Sequence, residues 1–484
     1  MNNTKKNIFF QTIYQILSLI LPFITAPYIS RVLGSELVGI NSYMYSIVNY
    51  FIIFATLGLD LYGNRTIAKV RDDKNKVNAK FTEIFLCHLI PAGLSLVLYL
   101  YLLTRMEGIY RVVGLIQTLY ILGEILNINW FFAGIGEFKI TIIRNTIFNL
   151  LAVLSMFVFV KNRNDLLRYV LIVALGSVVG KSAVWSIFKK YVCFVKVKWK
   201  DVLVHLKPMT ILFVSVLATN IYRMIDKTML GKMGYFQHLG CYEYADKILR
   251  MPLSIIVALG AVMLSISANM LAKKDDENVV KLLKMTLRYV SMLSSAIMFG
   301  IIVYGTDFSV LYFGGEYEYT GKLLAILSFS FPLMAWNSVI RTQFYIPKNR
   351  DKEYTFSVII GAVMNIVLNM ILISKFDASG AAIATVVSYF VVTVLQLILA
   401  HKDINIGGVM KECATPLAIG IIPFVLMISI KPFFSNTWGA LILQVCVFLV
   451  IFAVITILYL FVTKDSILIS LKNKFFRQEQ NNGE

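Results

Sequence analysis

Apolar segments long enough to cross a membrane recur along this chain from one end to the other. A membrane-spanning helix needs roughly 20 apolar residues, because backbone groups in hydrocarbon find hydrogen bonds only within the helix. Of the 484 residues, 58% are hydrophobic and 15% are charged, which leaves too little polar surface for a soluble protein of this size. The first segment follows a short polar leader with no small-residue cleavage site, which indicates a retained helix. We therefore predict an all-α polytopic membrane protein with about 14 transmembrane helices, at 8–30, 38–61, 81–103, 112–133, 141–160, 168–188, 209–230, 241–270, 285–304, 321–346, 354–374, 379–400, 415–430 and 439–462.

One phrase occurs twice, at Leu21–Tyr43 (the first copy) and at Arg223–Tyr244 (the second copy). The first copy reads LPFITAPYISRVLGSELVGINSY and the second reads RMIDKTMLGKMGYFQHLGCYEY. Each copy has a basic residue, then a predicted turn at Leu33-Gly34 or Leu230-Gly231, then a glycine four residues before a tyrosine. The copies lie an even number of spans apart, so we predict two parallel repeats. The predicted lobes are residues 1–205 (spans one to six) and 206–403 (spans seven to twelve), and residues 404–484 hold the last two spans and a basic tail.

The net charge of +19 would suggest nucleic acid as the partner of a soluble protein. Here the lysines and arginines concentrate in alternate loops, such as 65–80 and 189–207, which is typical of the cytoplasmic side of a membrane protein. We therefore predict cytoplasmic termini and no nucleic-acid partner. For the tail at 466–478, the sequence favours equally an amphipathic helix on the inner leaflet and a disordered basic segment.

No segment is long enough for a soluble catalytic domain, so we expect no enzyme activity and no cofactor. The stretch GSVVGKS at 176–182 resembles a phosphate-binding loop, but Leu175 stands where the first glycine should be and no strand precedes it. The cysteines form no CxxC pair and are interpreted as buried apolar side chains, so neither a metal site nor a disulfide framework is indicated: Cys87, Cys193, Cys241, Cys413 and Cys446.

Ionisable residues inside predicted spans are costly and by default face a partner or a cavity. Spans seven and eight hold the largest group, which is Arg223, Asp226, Lys227, Glu243, Asp246, Lys247 and Arg250. Two hypotheses stay open for this group: pairing among themselves, as the i,i+4 spacings of Glu243 with Lys247 and of Asp246 with Arg250 favour, or a cavity that also binds an anion. Glu124 is a lone acid in span four, suited to ion or proton coupling or to pairing with a cation of its own lobe.

Several stretches together strongly resemble the polysaccharide biosynthesis transporters, the O-unit or capsule-repeat flippases of the multidrug/oligosaccharidyl-lipid/polysaccharide exporter superfamily. They are the first copy, ATLGLDLYGNRTIAKVRD, NINWFFAGIGEFKITIIRN, IDKTMLG, YEYADKI and ASGAAIATVVSYF. The resemblance implies a V-shaped arrangement of two six-helix lobes around a central cavity, plus two C-terminal helices. It also implies transfer of an undecaprenyl-pyrophosphate-linked oligosaccharide across the bacterial plasma membrane by alternating access.

The resemblance further implies that cations hold the pyrophosphate and sugars, and by position these are Arg31, Lys181, Arg223, Lys227, Lys247, Arg250 and Arg341. The acids assigned to coupling or charge pairing are Glu124, Asp226, Glu243 and Asp246. The implied partners are the lipid-linked oligosaccharide, the bilayer, a coupling ion (Na⁺ or H⁺) and other polysaccharide assembly proteins. Because the second copy carries more charge, we expect the second lobe to hold the substrate.

Two other functions stay open. An ion-coupled exporter of multiple drugs or organic cations would share this fold and would need a net acidic cavity. An integral-membrane polysaccharide polymerase or ligase would need catalytic groups on a substantial outer loop, whereas the predicted outer loops are short.

Overall fold

The structure, a computed structural model, describes residues 2–465. Within that range the regular secondary structure is helical, and it includes a π-helical turn at Arg341–Tyr345. The basic tail at 466–478 lies outside the described residues. The α-helices are α1 (Asn2–Thr56), α2 (Leu59–Ala68), α3 (Lys74–Thr104), α4 (Gly108–Ile125), α5 (Asn129–Ile135), α6 (Phe138–Phe159), α7 (Leu166–Ser182), α8 (Trp185–Phe188), α9 (Trp199–Leu203), α10 (Leu206–Lys232), α11 (Phe236–Ala272), α12 (Asp276–Phe313), α13 (Glu318–Ser328), α14 (Ser330–Ile340), α15 (Asp351–Leu399), α16 (Ile406–Ile430) and α17 (Trp438–Val462).

These helices cover all the predicted spans. Among the described residues, 10 helical stretches are long and apolar enough to cross a membrane, and the pair α13 and α14, bent by 46°, makes an eleventh. Helices α1 and α15 each cover two predicted spans, because their backbones leave helical geometry at Gly34 and Asp377. Helix α10 occupies the predicted seventh span. The chain is thus an all-α, multi-pass membrane protein.

Four predicted spans are interrupted where the sequence predicted continuous helices. Breaks fall between α1 and α2, between α4 and α5, between α7 and α8, and between α13 and α14. At the first break Gly58 has φ +74°, and a Cβ there would lie 3.1 Å from the Met209 carbonyl oxygen. An apolar run of spanning length does not by itself reveal such breaks.

The two copies turn at different places relative to their predicted glycines. Gly34 has φ +79°, so the predicted turn of the first copy is confirmed. In the second copy the prediction was wrong, because α10 continues to Lys232 and the positive φ falls at Gly234, at +83°. Gly231 is helical, and a Cβ there would lie 2.1 Å from the Tyr43 ring. Gly231 therefore allows close packing against Tyr43 and does not form a turn.

Internal packing divides the chain into two compact units. The first comprises residues 1–244, 312–317 and 361–384. It contains an aromatic core in which Phe81 stacks on Trp130 with ring centroids 5.4 Å apart. Both copies of the repeated phrase belong to this unit. The lobe boundaries after residues 205 and 403 rest on the repeat and stay a prediction.

The second unit comprises residues 245–311, 318–360 and 385–484, of which residues up to 465 are described. Its core packs α12 against α16 and α17. Arg288 of α12 donates to both carboxylate oxygens of Glu412, and its Nη1 lies 2.6 Å from Oδ2 of Asp465. Outside the spans, hydrogen bonds from Lys348 and then Arg350 lower the pKa of the Asp403 carboxyl from its ordinary value.

The cysteines are only partly as expected. Cys87, Cys241 and Cys413 are buried, but Cys193 and Cys446 are exposed. Cys446 lies on α17, where many apolar side chains are exposed, as suits a helix that faces lipid.

Candidate functional site

The two copies of the repeated phrase pack directly against each other in the first unit. A Cβ at Gly39 would lie 1.8 Å from the Phe236 carbonyl oxygen, and a Cβ at Gly240 would lie 1.9 Å from the Ser35 carbonyl oxygen. Gly39 follows Ser35 by four residues, and Gly240 follows Phe236 by four. Equivalent backbone atoms therefore meet in both directions, as a local two-fold axis between the copies requires. Only glycine allows the two backbones to come this close.

A buried ion pair lies beside this contact. Nζ of Lys227 in α10 is 2.7 Å from Oε2 of Glu243 in α11, and these side chains are 9% and 13% exposed. Ser42 of the first copy donates a hydrogen bond of 2.7 Å to the same oxygen. Glu243 is thus held by a cation of its own copy and by a hydroxyl of the other copy. The pairing offsets much of the cost of burying both charges.

Asp226, next to Lys227 in the chain, contacts neutral groups on two other segments. Its Oδ2 accepts a 2.6 Å hydrogen bond from the Tyr242 hydroxyl, and its Oδ1 accepts one of 2.6 Å from Nδ2 of Asn369 in α15. Asn369 also donates to Oδ1 of Asn365, at 3.1 Å. Among the described residues, Oδ1 of Asn369 and Nδ2 of Asn365 are buried without a hydrogen-bond partner.

The sequence prediction missed Tyr242, Asn365 and Asn369 as neighbours of Asp226. A usable signal was present, because two amides at i,i+4 in an otherwise apolar span lie on one helix face. A carboxylate with an amide oxygen and a hydroxyl nearby is an oxygen-rich set, which suits a hard cation such as Na⁺ or a proton.

Glu124 pairs with a basic residue of its own predicted lobe. Nζ of Lys181 in α7 lies 2.5 Å from Oε1 of Glu124 in α4, and Nδ2 of Asn127 lies 2.9 Å from Oε2. Both charged side chains are largely buried, at 20% and 12% exposed. Of the two hypotheses for Glu124, the structure confirms the pairing.

In the second unit, one of the two predicted i,i+4 pairs is confirmed, that of Asp246 with Arg250. Nε of Arg250 lies 2.6 Å from Oδ1 of Asp246, and the side chains are 23% and 11% exposed. Arg341 begins the π-helical turn and places its guanidinium 5.1 Å from the ring centroid of Tyr354. This arrangement is a cation–π contact.

The other three predicted cations are exposed: Arg31, Arg223 and Lys247. Arg31 lies near the segment that follows α12, since a Cβ at Gly314 would be 3.4 Å from its Cγ. The seven predicted cations thus form two classes. Lys181, Lys227 and Arg250 are largely buried beside carboxylates, whereas Arg31, Arg223, Lys247 and Arg341 have exposed side chains.

With this geometry established, comparison with known proteins gives consistent matches. The model of a family described as polysaccharide biosynthesis protein matches residues 4–266, more than half of the chain. A protein of Shigella dysenteriae assigned as an O-antigen transporter is 22% identical over 398 residues, which are 81% of this chain and 99% of that protein. A protein of Escherichia coli K12 with the same assignment is 21% identical over 404 residues, 82% of this chain and 97% of that one.

Solved structures share the fold. The lipid II flippase MurJ in an inward closed conformation matches with a TM-score of 0.77 at 15% identity, covering 94% of this chain and 99% of that one. An inward-facing multidrug resistance MATE family transporter of the MOP superfamily matches with a TM-score of 0.61 at 13% identity, covering 81% and 99%. At these identities the likeness concerns the fold alone. It confirms the predicted class, a polytopic helical transporter fold with two lobes.

Proposed function

The chain belongs to the polysaccharide biosynthesis protein family, and on that premise we propose that it is a flippase for lipid-linked oligosaccharide repeat units. The proposed substrate is an undecaprenyl-pyrophosphate-linked oligosaccharide, moved across the bacterial plasma membrane for capsule, O-antigen or exopolysaccharide synthesis. The assignments of the relatives and the transporter fold support this proposal. Basic loops on the side of both termini support a cytoplasmic position for them.

One observation carries the proposal: a buried cation lies at the contact between the two copies. Lys227 is neutralised by Glu243, which Ser42 also holds. A pyrophosphate that approached Lys227 would take the place of the carboxylate, so the ion pair is a site where anion binding can change which groups are paired. Lys227 would stay paired through this exchange, whereas Glu243 would have to take up a proton or another partner, because a buried charge left alone costs about 3–5 kcal/mol.

The reciprocal glycine contact supplies the second requirement of alternating access, a seal that has two states. In this proposal the contact closes one side of the membrane and separates when substrate leaves. The substrate needs only to stabilise the two states unequally, and no bond is made or broken.

Asp226 is the carboxylate that we assign to ion coupling. Asp226 accepts hydrogen bonds from Tyr242 and Asn369, and its carboxylate with the nearby hydroxyl and amide oxygens is a set suited to Na⁺ or to a proton. Binding of either ion at Asp226 would change the electrostatic potential at Lys227, the next residue of α10. Ion binding would thereby be coupled to the proposed substrate cation.

Transport in reconstituted vesicles tests the proposal. Purified protein is placed in vesicles with a lipid-linked oligosaccharide, and its exposure on the far leaflet is measured with a sugar-modifying reagent under separate Na⁺ and H⁺ gradients. We expect transfer by the wild type and little transfer by Lys227→Gln. Lys273→Gln, an exposed lysine of a loop, is the matched control.

The alternative with the same fold is an exporter of organic cations, since one structure with this fold is a multidrug resistance MATE family transporter. The ion pairs of Glu124 and Glu243 argue against it, because both acids already hold cations. A deletion strain separates the alternatives. Flippase loss traps lipid-linked repeat units on the cytoplasmic leaflet, whereas drug sensitivity without trapped intermediates would refute the flippase, and export of shortened polymer would indicate a polymerase or ligase.

A further inference from the structure

The segment between α8 and the first turns of α10, residues 189–211, exposes large apolar side chains although most of it lies outside the predicted spans. We name it the linker platform. Trp199 is 65% exposed, Leu203 51% and Val204 64%. Such side chains are unfavourable in water but are stabilised in the headgroup region at a membrane surface, where tryptophan is enriched.

This exposure occurs on a segment that is tied to the first unit. The backbone N–H of Cys193 donates to Oδ1 of Asn78 at 3.0 Å, and that of Val195 donates to Oγ1 of Thr82 at 3.2 Å. His205 is 4% exposed, and its Nε2 lies 2.8 Å from Oε2 of Glu83. The linker platform therefore presents its apolar groups in a fixed position.

A hollow of about 460 Å³ lies between the end of α9 and the first turns of α10, lined by Leu203, Leu206, Lys207, Thr210 and Ile211. The hollow is open along one flank of the helix, and Leu203, Lys207, Thr210 and Ile211 that line it are exposed. Its wall is mostly apolar, and Lys207 supplies one ammonium group. These are the two chemical features of a phospholipid site: an apolar surface for an acyl chain and a cation for a phosphate.

Charge on the linker platform is strongly one-sided. It carries Asp201 and six lysines: Lys189, Lys190, Lys196, Lys198, Lys200 and Lys207. Within residues 2–465 the structure gives Lys198, Lys200 and Lys207 no carboxylate partner, whereas Lys348 of another basic loop contacts both Asp276 and Asp403. The linker lysines thus keep their charge for an anion from outside the chain.

We propose that the linker platform binds an anionic phospholipid of the surrounding leaflet. The acyl chain lies along the hollow at Leu203 and Ile211, the phosphate lies at Lys207, and Lys198 and Lys200 of the same segment add to its positive charge. Bound lipid fixes the start of α10, the helix that carries Asp226 and Lys227. This inference is independent of the proposed function, because lipid binding is measured without transport.

Native mass spectrometry of the full-length protein tests the site. Protein in detergent is titrated with dioleoyl phosphatidylglycerol or with dioleoyl phosphatidylcholine at matched ratios. We expect preferential retention of phosphatidylglycerol, and about 100-fold weaker retention by Lys198→Gln/Lys200→Gln/Lys207→Gln, since each lysine near anionic lipid contributes roughly a factor of five. The control Lys273→Gln/Lys274→Gln/Lys281→Gln removes the same charge from exposed residues elsewhere and should bind like the wild type.

Two further arms test the chemistry of the occupant. Leu203→Ser should weaken dioleoyl phosphatidylglycerol but leave the weaker binding of the short-chain dihexanoyl lipid unchanged. Equal retention of both headgroups by the wild type, or an equal loss in the control variant, would overturn the proposal. Displacement by undecaprenyl phosphate at concentrations well below those of phosphatidylglycerol would also overturn it, because the site would then belong to the carrier lipid.

Discussion

The two copies of the repeated phrase use the same backbone positions and different side chains. Gly39 meets the carbonyl of Phe236, and Gly240 meets the carbonyl of Ser35, so the backbone contact is the same in both directions. Three residues after each glycine the copies diverge, with Ser42 in the first and Glu243 in the second. These two equivalent positions hydrogen-bond to each other at 2.7 Å.

The difference between the two copies shows that the backbone contact must be symmetric, whereas the side chains beside it need not be. Two helices can come this close only if neither has a side chain at the crossing, and that requirement falls equally on both copies. A buried charge does not need to be present in both copies. A carboxylate at both equivalent positions would place two like charges together, whereas a hydroxyl opposite a carboxylate satisfies it. The second copy thus carries the ion pair, and the first supplies a neutral partner.

The largest expected effect comes from breaking the symmetric contact. Gly39→Ala or Gly240→Ala would place a Cβ less than 2 Å from a carbonyl oxygen, which forces the copies apart at a cost of about 3 kcal/mol or more. We expect both variants to insert in the membrane and to lose glycan export to the same extent, measured by complementation of a deletion strain. Gly93→Ala, on an open helix face, is the control and should export normally. Export by only one of the two glycine variants would disprove that the two glycine contacts are equivalent.

The next effect comes from breaking the ion pair of the second copy. Lys227→Ala and Glu243→Ala each leave a buried charge without its partner and should lower stability by about 3–5 kcal/mol. The double variant removes both charges and should recover most of that loss, as read from thermal unfolding in detergent. Export should stay low in the double variant, because the proposed substrate cation is absent. Full export by the double variant would make the pair purely structural.

A smaller effect is expected at Asp226. Asp226→Asn keeps the shape and removes the charge, so the hydrogen bonds from Tyr242 and Asn369 lose their ionic partner, at about 1.5–3 kcal/mol. Transport in vesicles should then fall by roughly tenfold or more and lose its dependence on the coupling ion. Retained dependence on the ion gradient would place the coupling group elsewhere, and Asp351→Asn, an exposed acid at the start of α15, is the control.

The smallest effects are expected at the exposed arginines and should still differ between the copies. Arg223 lies beside the charged group of the second copy, so Arg223→Ala should reduce export several-fold. Arg31→Ala, in the first copy, should reduce export less. Removal of an exposed charge usually changes stability by less than about 0.5 kcal/mol, so both proteins should reach the membrane in normal amounts on immunoblots. A greater loss in Arg31→Ala would reverse the assignment of the substrate to the second copy.

The location of the helices and the partners within one helix could be predicted from the sequence. Apolar segments of spanning length determine where helices form, because hydrocarbon offers the backbone no other hydrogen-bond partners. The pairing of Asp246 with Arg250 followed from i,i+4 spacing in the same way. The doubled phrase predicted two equivalent segments, and the glycines of these segments make equivalent backbone contacts in the structure.

Partners between helices were decided only by the tertiary structure. Lys227 lies opposite Glu243, and Asp226 lies opposite Asn369, which is 143 residues away in the chain. Gly231, predicted to form a turn, instead admits the Tyr43 ring, because packing against a neighbouring helix uses the missing side chain where a turn would use the positive φ. The sequence by itself therefore determined the spans, the repeat and the short-range pairs, since these depend on hydropathy and helical spacing. Which charges face each other depends on how separate helices pack, and only the folded chain decides that.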